Sequence, residues 1–173
     1  HDGRLSATGT TWAGAGTLTW TGGSTPSAGT LDMTGNAGTL TYYHDIRFFN
    51  LTLAGSTKTT TLKSFPTNGM NLNMYGTLAN GGGTIGGTNS PDILFMGSST
   101  ATGNPILSSL NFTHWRSTVA IPQMTTNLLY IDSIDATLGA DHINTGYIRP
   151  GGGRTLNFSS YTITTPRFYM GDS

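Results

Sequence analysis

RFFNLTLAG (residues 47–55) and GMNLNMYG (residues 69–76) carry one pattern twice: an asparagine, apolar and polar residues in alternation, then a glycine. Leu51 and Leu72 stand twenty-one residues apart, each directly after an asparagine. With Leu51 as landmark, similar bursts occur as TLDMTG around Leu31, NLTLAG around Leu51, NLNMYG around Leu72 and DILFMG around Ile93. They continue as LNFTHW around Phe112, NLLYID around Leu129, GYIRPG around Ile148 and PRFYMG around Phe168. The intervals are 20, 21, 21, 19, 17, 19 and 20 residues. A period this constant marks stacked coils, each too thin to bury its own apolar face and burying it against the next. With strands about 4.8 Å apart, eight such coils make a rod of about 40 Å. A coil of this length holds two or three short strands. TTTLKSF, STVAIPQM and RTLNFSS supply the remaining sides, and NGGGTIGG, TGNP and RPGGGR the corners.

Composition points the same way. Among 173 residues there are 32 Thr, 25 Gly, 15 Ser and 12 Asn, with no Glu and only two Lys. Thr is β-branched, Gly, Asn and Asp make turns, and the residues that fill exposed helix faces are scarce. The chain is therefore read as all-β. Only 9% of residues are charged and the net charge is zero. No basic cluster is present to neutralise phosphates, so nucleic acid is not an expected partner. No apolar run approaches the ~18 residues of a membrane-spanning helix. Without cysteine there is neither a disulfide framework nor a thiolate metal site.

Asn50, Asn71, Asp92, Asn111 and Asn127 each sit just before or within a burst, and a ladder of stacked side-chain amides is expected at that corner. The recurring aromatics (Phe49, Tyr75, Phe95, Phe112, Tyr130, Tyr147, Phe158 and Tyr169) are expected as core stacks rather than as a ligand platform.

FFNLTLAG and GMNLNMYGTLANGGG resemble the rungs of parallel β-helix (β-solenoid) surface proteins, such as bacterial adhesins, filamentous haemagglutinin-like proteins and phage tailspikes. The resemblance covers residues 29–173 and implies a β-solenoid domain there. In the first 45 residues, GTLTW, GTLDM and GTLTY recur out of step with the later period. Residues 1–28 are accordingly expected as an N-terminal cap or an arm exchanged with a neighbour, since an open solenoid end presents unpaired strand edges.

The densest polar cluster is IDSIDATLGADHINTGYIR, which beside His142 holds Asp132, Asp135, Asp141 and Arg149. The resemblance includes polysaccharide-cleaving β-helix enzymes, and these four residues are the candidates for such chemistry, which needs two or three convergent carboxylates. Asp at corners explains them equally well, and the coils are too short to build a long substrate groove. HDIR (residues 44–47) and THWR (residues 113–116) place His near Arg without a metal-ligand spacing. GGGTIGG lacks the lysine of a phosphate loop. No cofactor or metal is expected.

The expected role is non-enzymatic: a β-solenoid subunit or segment of an extracellular filament, adhesin or virion fibre, displayed at a cell or virion surface. Its expected partners are copies of itself in a homo-oligomer or filament, and a glycan or cell-surface molecule. The competing readings are a polysaccharide-binding or polysaccharide-cleaving β-helix domain, and a phage capsid or tail accessory protein.

Overall fold

The computed structural model describes residues 10–11, 17–20, 30–32, 38–42, 45–55, 59–64, 71–81, 84–88 and 91–169. Among them there is no helix, and every strand pairing is parallel. Parallel strands cannot be joined by hairpins, so each must be reached by carrying the chain around a full coil. Coils of about 20 residues stack in this way into a three-sided β-solenoid. From residue 77 to 150 about four successive turns carry a strand or bridge on all three sides.

The first side stacks Thr10–Thr11, Thr30–Asp32, Asn50–Gly55, Thr77–Gly81 and Thr100–Thr102. It resumes with the bridge from Ile121 to Leu138 and the pair Ala136–Thr137 and Leu156–Asn157. The second side runs through Thr17–Trp20, Gly38–Tyr42, Thr59–Ser64 and Thr84–Thr88. The opening residues of Ile106–Ser117, Thr125–Ile131 and His142–Pro150 extend it, and Ile163–Thr164 ends it. The third side stacks Ile46–Phe48, Asn71–Met74 and Asp92–Gly97 beneath the closing residues of those same three strands. These long strands turn from the second side to the third without breaking. The corner is a shift of register between Leu107 and Phe112 and between Thr126 and Leu128, the geometry of a bulge that re-aims a strand.

Of the expected arm at residues 1–28, only Thr10–Thr11 and Thr17–Trp20 are described; they pair in parallel with Thr30–Asp32 and Gly38–Tyr42. The rest of that segment, and residues 170–173, lie outside the described residues.

Alternation puts every second side chain inward, and these form vertical files. On the third side Ile46, Leu72, Ile93, Thr113, Leu129 and Ile148 follow one another, none more than 1% exposed. Beside them run Phe48, Met74, Phe95 and Trp115. Three landmarks are corrected by this register, Leu31 and Leu51 together and Phe112 separately. Leu51 belongs to the first side, between Leu31 and Leu78, and the neighbour of Leu72 on the third side is Ile46. Phe112 is likewise displaced by one: Thr113 occupies the inward file, and Phe112 faces outward beside Leu128. Ile46–Phe48 and Asn50–Gly55 meet at one corner and both alternate, so the period gives the pitch of the solenoid but not the side on which a burst lies.

The corner residues form stitches rather than an amide ladder. Asp45 Oδ1 accepts from the Asn71 amide (2.9 Å), Asn50 Oδ1 from Thr77 (2.8 Å) and Asp92 Oδ1 from Phe112 (3.1 Å). Asp135 Oδ1 accepts from Thr155 (2.8 Å) and Asp141 Oδ1 from Thr162 (2.9 Å). In each, an Asp or Asn directly precedes a buried inward residue and binds a backbone N–H one coil later, a donor that the bend takes out of the sheet ladder. Side chain to side chain, Asn71 Nδ2 also reaches Asp45 Oδ2 at 3.3 Å, whereas Asn127 donates to the Leu110 carbonyl.

Inside the second side the file turns polar: Leu107 is followed by Thr126 and Asn144. Asn144 donates to Thr126 Oγ1 (3.0 Å) and to the Asn127 carbonyl (2.7 Å). The buried His142 ring meets Thr126 Oγ1 through Nε2 at 3.0 Å, and its Nδ1 has no hydrogen-bond partner among the described residues. Burial pushes this imidazole down from 6.5 to about 4. Between those values the unfolded chain binds a proton that the folded chain refuses. Stability is therefore expected to fall as pH drops through that window, by up to about 3 kcal/mol, and this contribution levels off below it. Urea denaturation at pH 7.5 and pH 4.5 checks this, and His142→Leu should remove the step. A wild-type midpoint unchanged between the two would refute the burial of a neutral ring.

Candidate functional site

The outer face of the third side holds the functional candidates. The alternation that sends Thr113, Trp115 and Ser117 inward turns Phe112, His114 and Arg116 outward. Across the coils, Leu94, His114, Tyr130 and Arg149 lie in one outward file. Phe112, Leu128 and Tyr147 form a second, and Met96 pairs with Arg116 in a third.

At the centre, Asp132 receives Arg116 through two bonds, from Nε to Oδ1 (2.8 Å) and from Nη2 to Oδ2 (2.6 Å). His114 Nδ1 lies 3.3 Å from Asp132 Oδ2, and its Nε2 lies 3.7 Å from Asp92 Oδ2. Burial alone would push the Asp132 carboxyl up. The hydrogen bond and charge of Arg116, with His114, more than offset this and hold it below the usual carboxylate range. Arg116 is raised in turn by its hydrogen bond to Asp132. This carboxylate is thus held ionised, with both oxygens engaged, in a geometry suited to orienting His114 rather than to carrying a proton.

Aromatic rings surround this network. The Phe112 ring is 5.6 Å from His114, and Tyr130 meets His114 edge-on at 5.5 Å. Arg149 Cζ lies 5.6 Å from the centre of the Tyr130 ring, within cation–π range. Tyr147 and Tyr169 meet edge-to-face at 5.0 Å. The surface dips twice here. One depression, of about 250 Å³, is walled by Tyr147, Arg149 and Tyr169. The other, of about 220 Å³, is walled by Asp92, Phe112, His114, Tyr130 and Arg149.

The four candidate residues do not converge. Asp132 and Arg149 share this face, but Asp132 is bound by Arg116 while Arg149 lies over Tyr130. Asp135 and Asp141 occupy corners and hold backbone amides of the next coil. Among the described residues no group of three His, Cys, Asp or Glu is placed to hold a metal ion. The expectation that the aromatics form core stacks holds for Phe95, which lies against Trp115 at 4.8 Å. It fails for Phe112, Tyr130, Tyr147 and Tyr169, which line the outer face. The alternation in NFTHWRS contained the signal, since one buried Trp115 fixes the direction of its neighbours.

No family model, curated protein or solved structure matches the chain. Among the described residues no helix is long and apolar enough to cross a membrane.

Proposed function

We propose that the chain is a non-enzymatic structural segment, a β-solenoid subunit or portion of an extracellular filament, adhesin or virion fibre. The observation that carries this reading is the stitching of coil to coil. Corner Asp and Asn side chains of the kind that serve reactions elsewhere are committed to backbone amides of the next coil, and Asp132 is committed to Arg116. Such an arrangement supports stiffness along an axis, with each coil templating its neighbour. Negative-stain microscopy at high concentration is expected to show end-to-end assemblies. Isolated monomers throughout would count against the proposal.

The outer aromatic face favours a second reading, in which the segment also holds a polysaccharide without cleaving it. Tyr147 and Tyr169 offer rings on which the apolar C–H face of a sugar packs, and Asp92 and His114 offer partners for hydroxyls. A glycan array combined with a reducing-end assay is expected to give binding without turnover. That binding should be lost in Tyr147→Ala and kept in Asp135→Ala. Release of reducing ends that stops in Asp135→Ala would overturn the non-enzymatic reading.

A further inference from the structure

We infer that the outer face at Arg149 recognises an acidic polysaccharide, holding the carboxylate of one sugar unit on Arg149 beside the contacting rings of Tyr147 and Tyr169. The inference rests on the glycan-binding reading and specifies its chemistry. Arg116 and Arg149 of this face lie against aspartate and tyrosine respectively, and they are used differently. The Arg116 guanidinium is occupied by Asp132. Arg149 is exposed, lies against the Tyr130 ring, and has no carboxylate partner among the described residues. A ring contact leaves the edge of the guanidinium fork open, and that planar edge matches a carboxylate through two parallel N–H bonds.

Arg149 is also the wall shared by the two depressions. Their electrostatics differ. Asp92 belongs to the depression beside His114 and disfavours a second negative charge there, so that side suits neutral hydroxyls. Among the described residues the depression beside Tyr147 and Tyr169 has no acidic wall, and the carboxylate belongs there. A ligand with a charged group at one unit and hydroxyls at the next fits both.

An acidic peptide fits less well. Peptides commonly bind such sheets by pairing with a free strand edge. Residues 128–130 are flanked on both sides by parallel partners, and Ile148 is covered by its bridge to Phe168. A nucleic acid would need a run of cations along its phosphates, and a chain with 9% charged residues and zero net charge has no such basic cluster.

The test is a glycan array bearing uronate, sialate, sulfated and neutral glycans, followed by titration of the best binder, its methyl ester and poly-glutamate. The chain should prefer carboxylate-bearing glycans, with esterification and Arg149→Gln each weakening binding at least tenfold. Arg149→Gln should retain the wild-type melting temperature, because the side chain is exposed. Preference for neutral or sulfated glycans, equal binding of the ester, or equal binding of poly-glutamate would overturn the inference. Binding of neutral glycans that is lost in Tyr147→Ala would overturn the inference while supporting the glycan-binding reading on which it rests. Absence of binding to every glycan would overturn both.

Discussion

Replacing Trp115 with alanine is expected to lower the unfolding free energy by about 3–5 kcal/mol, the range for removing a large aromatic from a packed interior. Trp115 is fully buried, its ring lies 4.8 Å from Phe95, and its Nε1 donates to the Val119 carbonyl at 3.1 Å. The substitution therefore loses packing area, a ring contact and the partner of a corner carbonyl together. Because coils touch only their neighbours, the damage should begin locally. Hydrogen exchange should accelerate first in Asp92–Gly97 and Thr125–Ile131, the strands on either side. Urea denaturation gives the magnitude, and a loss below about 1 kcal/mol would contradict so complete a burial.

Gly103→Ala should be comparably damaging, for a different reason. Gly103 has φ +75°, where a side chain costs about 1–2 kcal/mol. An added Cβ would also run into the backbone carbonyl of Asn80 on the coil beneath. Backbone cannot swing aside as a side chain can, so Thr77–Gly81 and Thr100–Thr102 would have to separate. The combined loss should exceed about 3 kcal/mol once overpacking is added to the conformational cost. Gly97→Ala isolates the first contribution: Gly97 has φ +64° with nothing within 4 Å of the added carbon. It should cost about 1–2 kcal/mol. Equal melting temperatures for the two variants would show that the close approach to Asn80 is not real.

The spacing of the bursts disclosed that the chain coils and stacks, because each coil must return an apolar pair to the same height. It did not disclose the side on which each pair lies. Leu51 and Leu72 share a motif and a plausible interval, yet a corner between Phe48 and Asn50 sends them to different sides. The habit of placing Asp or Asn before an inward residue was visible, but its purpose required the position of the next coil. Asp135 and Asp141 looked like candidates for chemistry because they cluster in sequence; three-sided coiling sends them to separate corners. The union of Arg116 with Asp132, sixteen residues apart, depends on the register change at Leu107–Phe112, which no local pattern encodes.

The corner bonds described above all run one way: an oxygen on the earlier coil accepts a hydrogen bond from a backbone N–H of the later one. The stack thus has a chemical top and bottom, acceptors protruding toward one pole and amide hydrogens toward the other. As the polypeptide leaves the ribosome, each finished layer already displays the oxygens that fix the next. Two copies meeting at their poles find complementary groups in only one relative orientation.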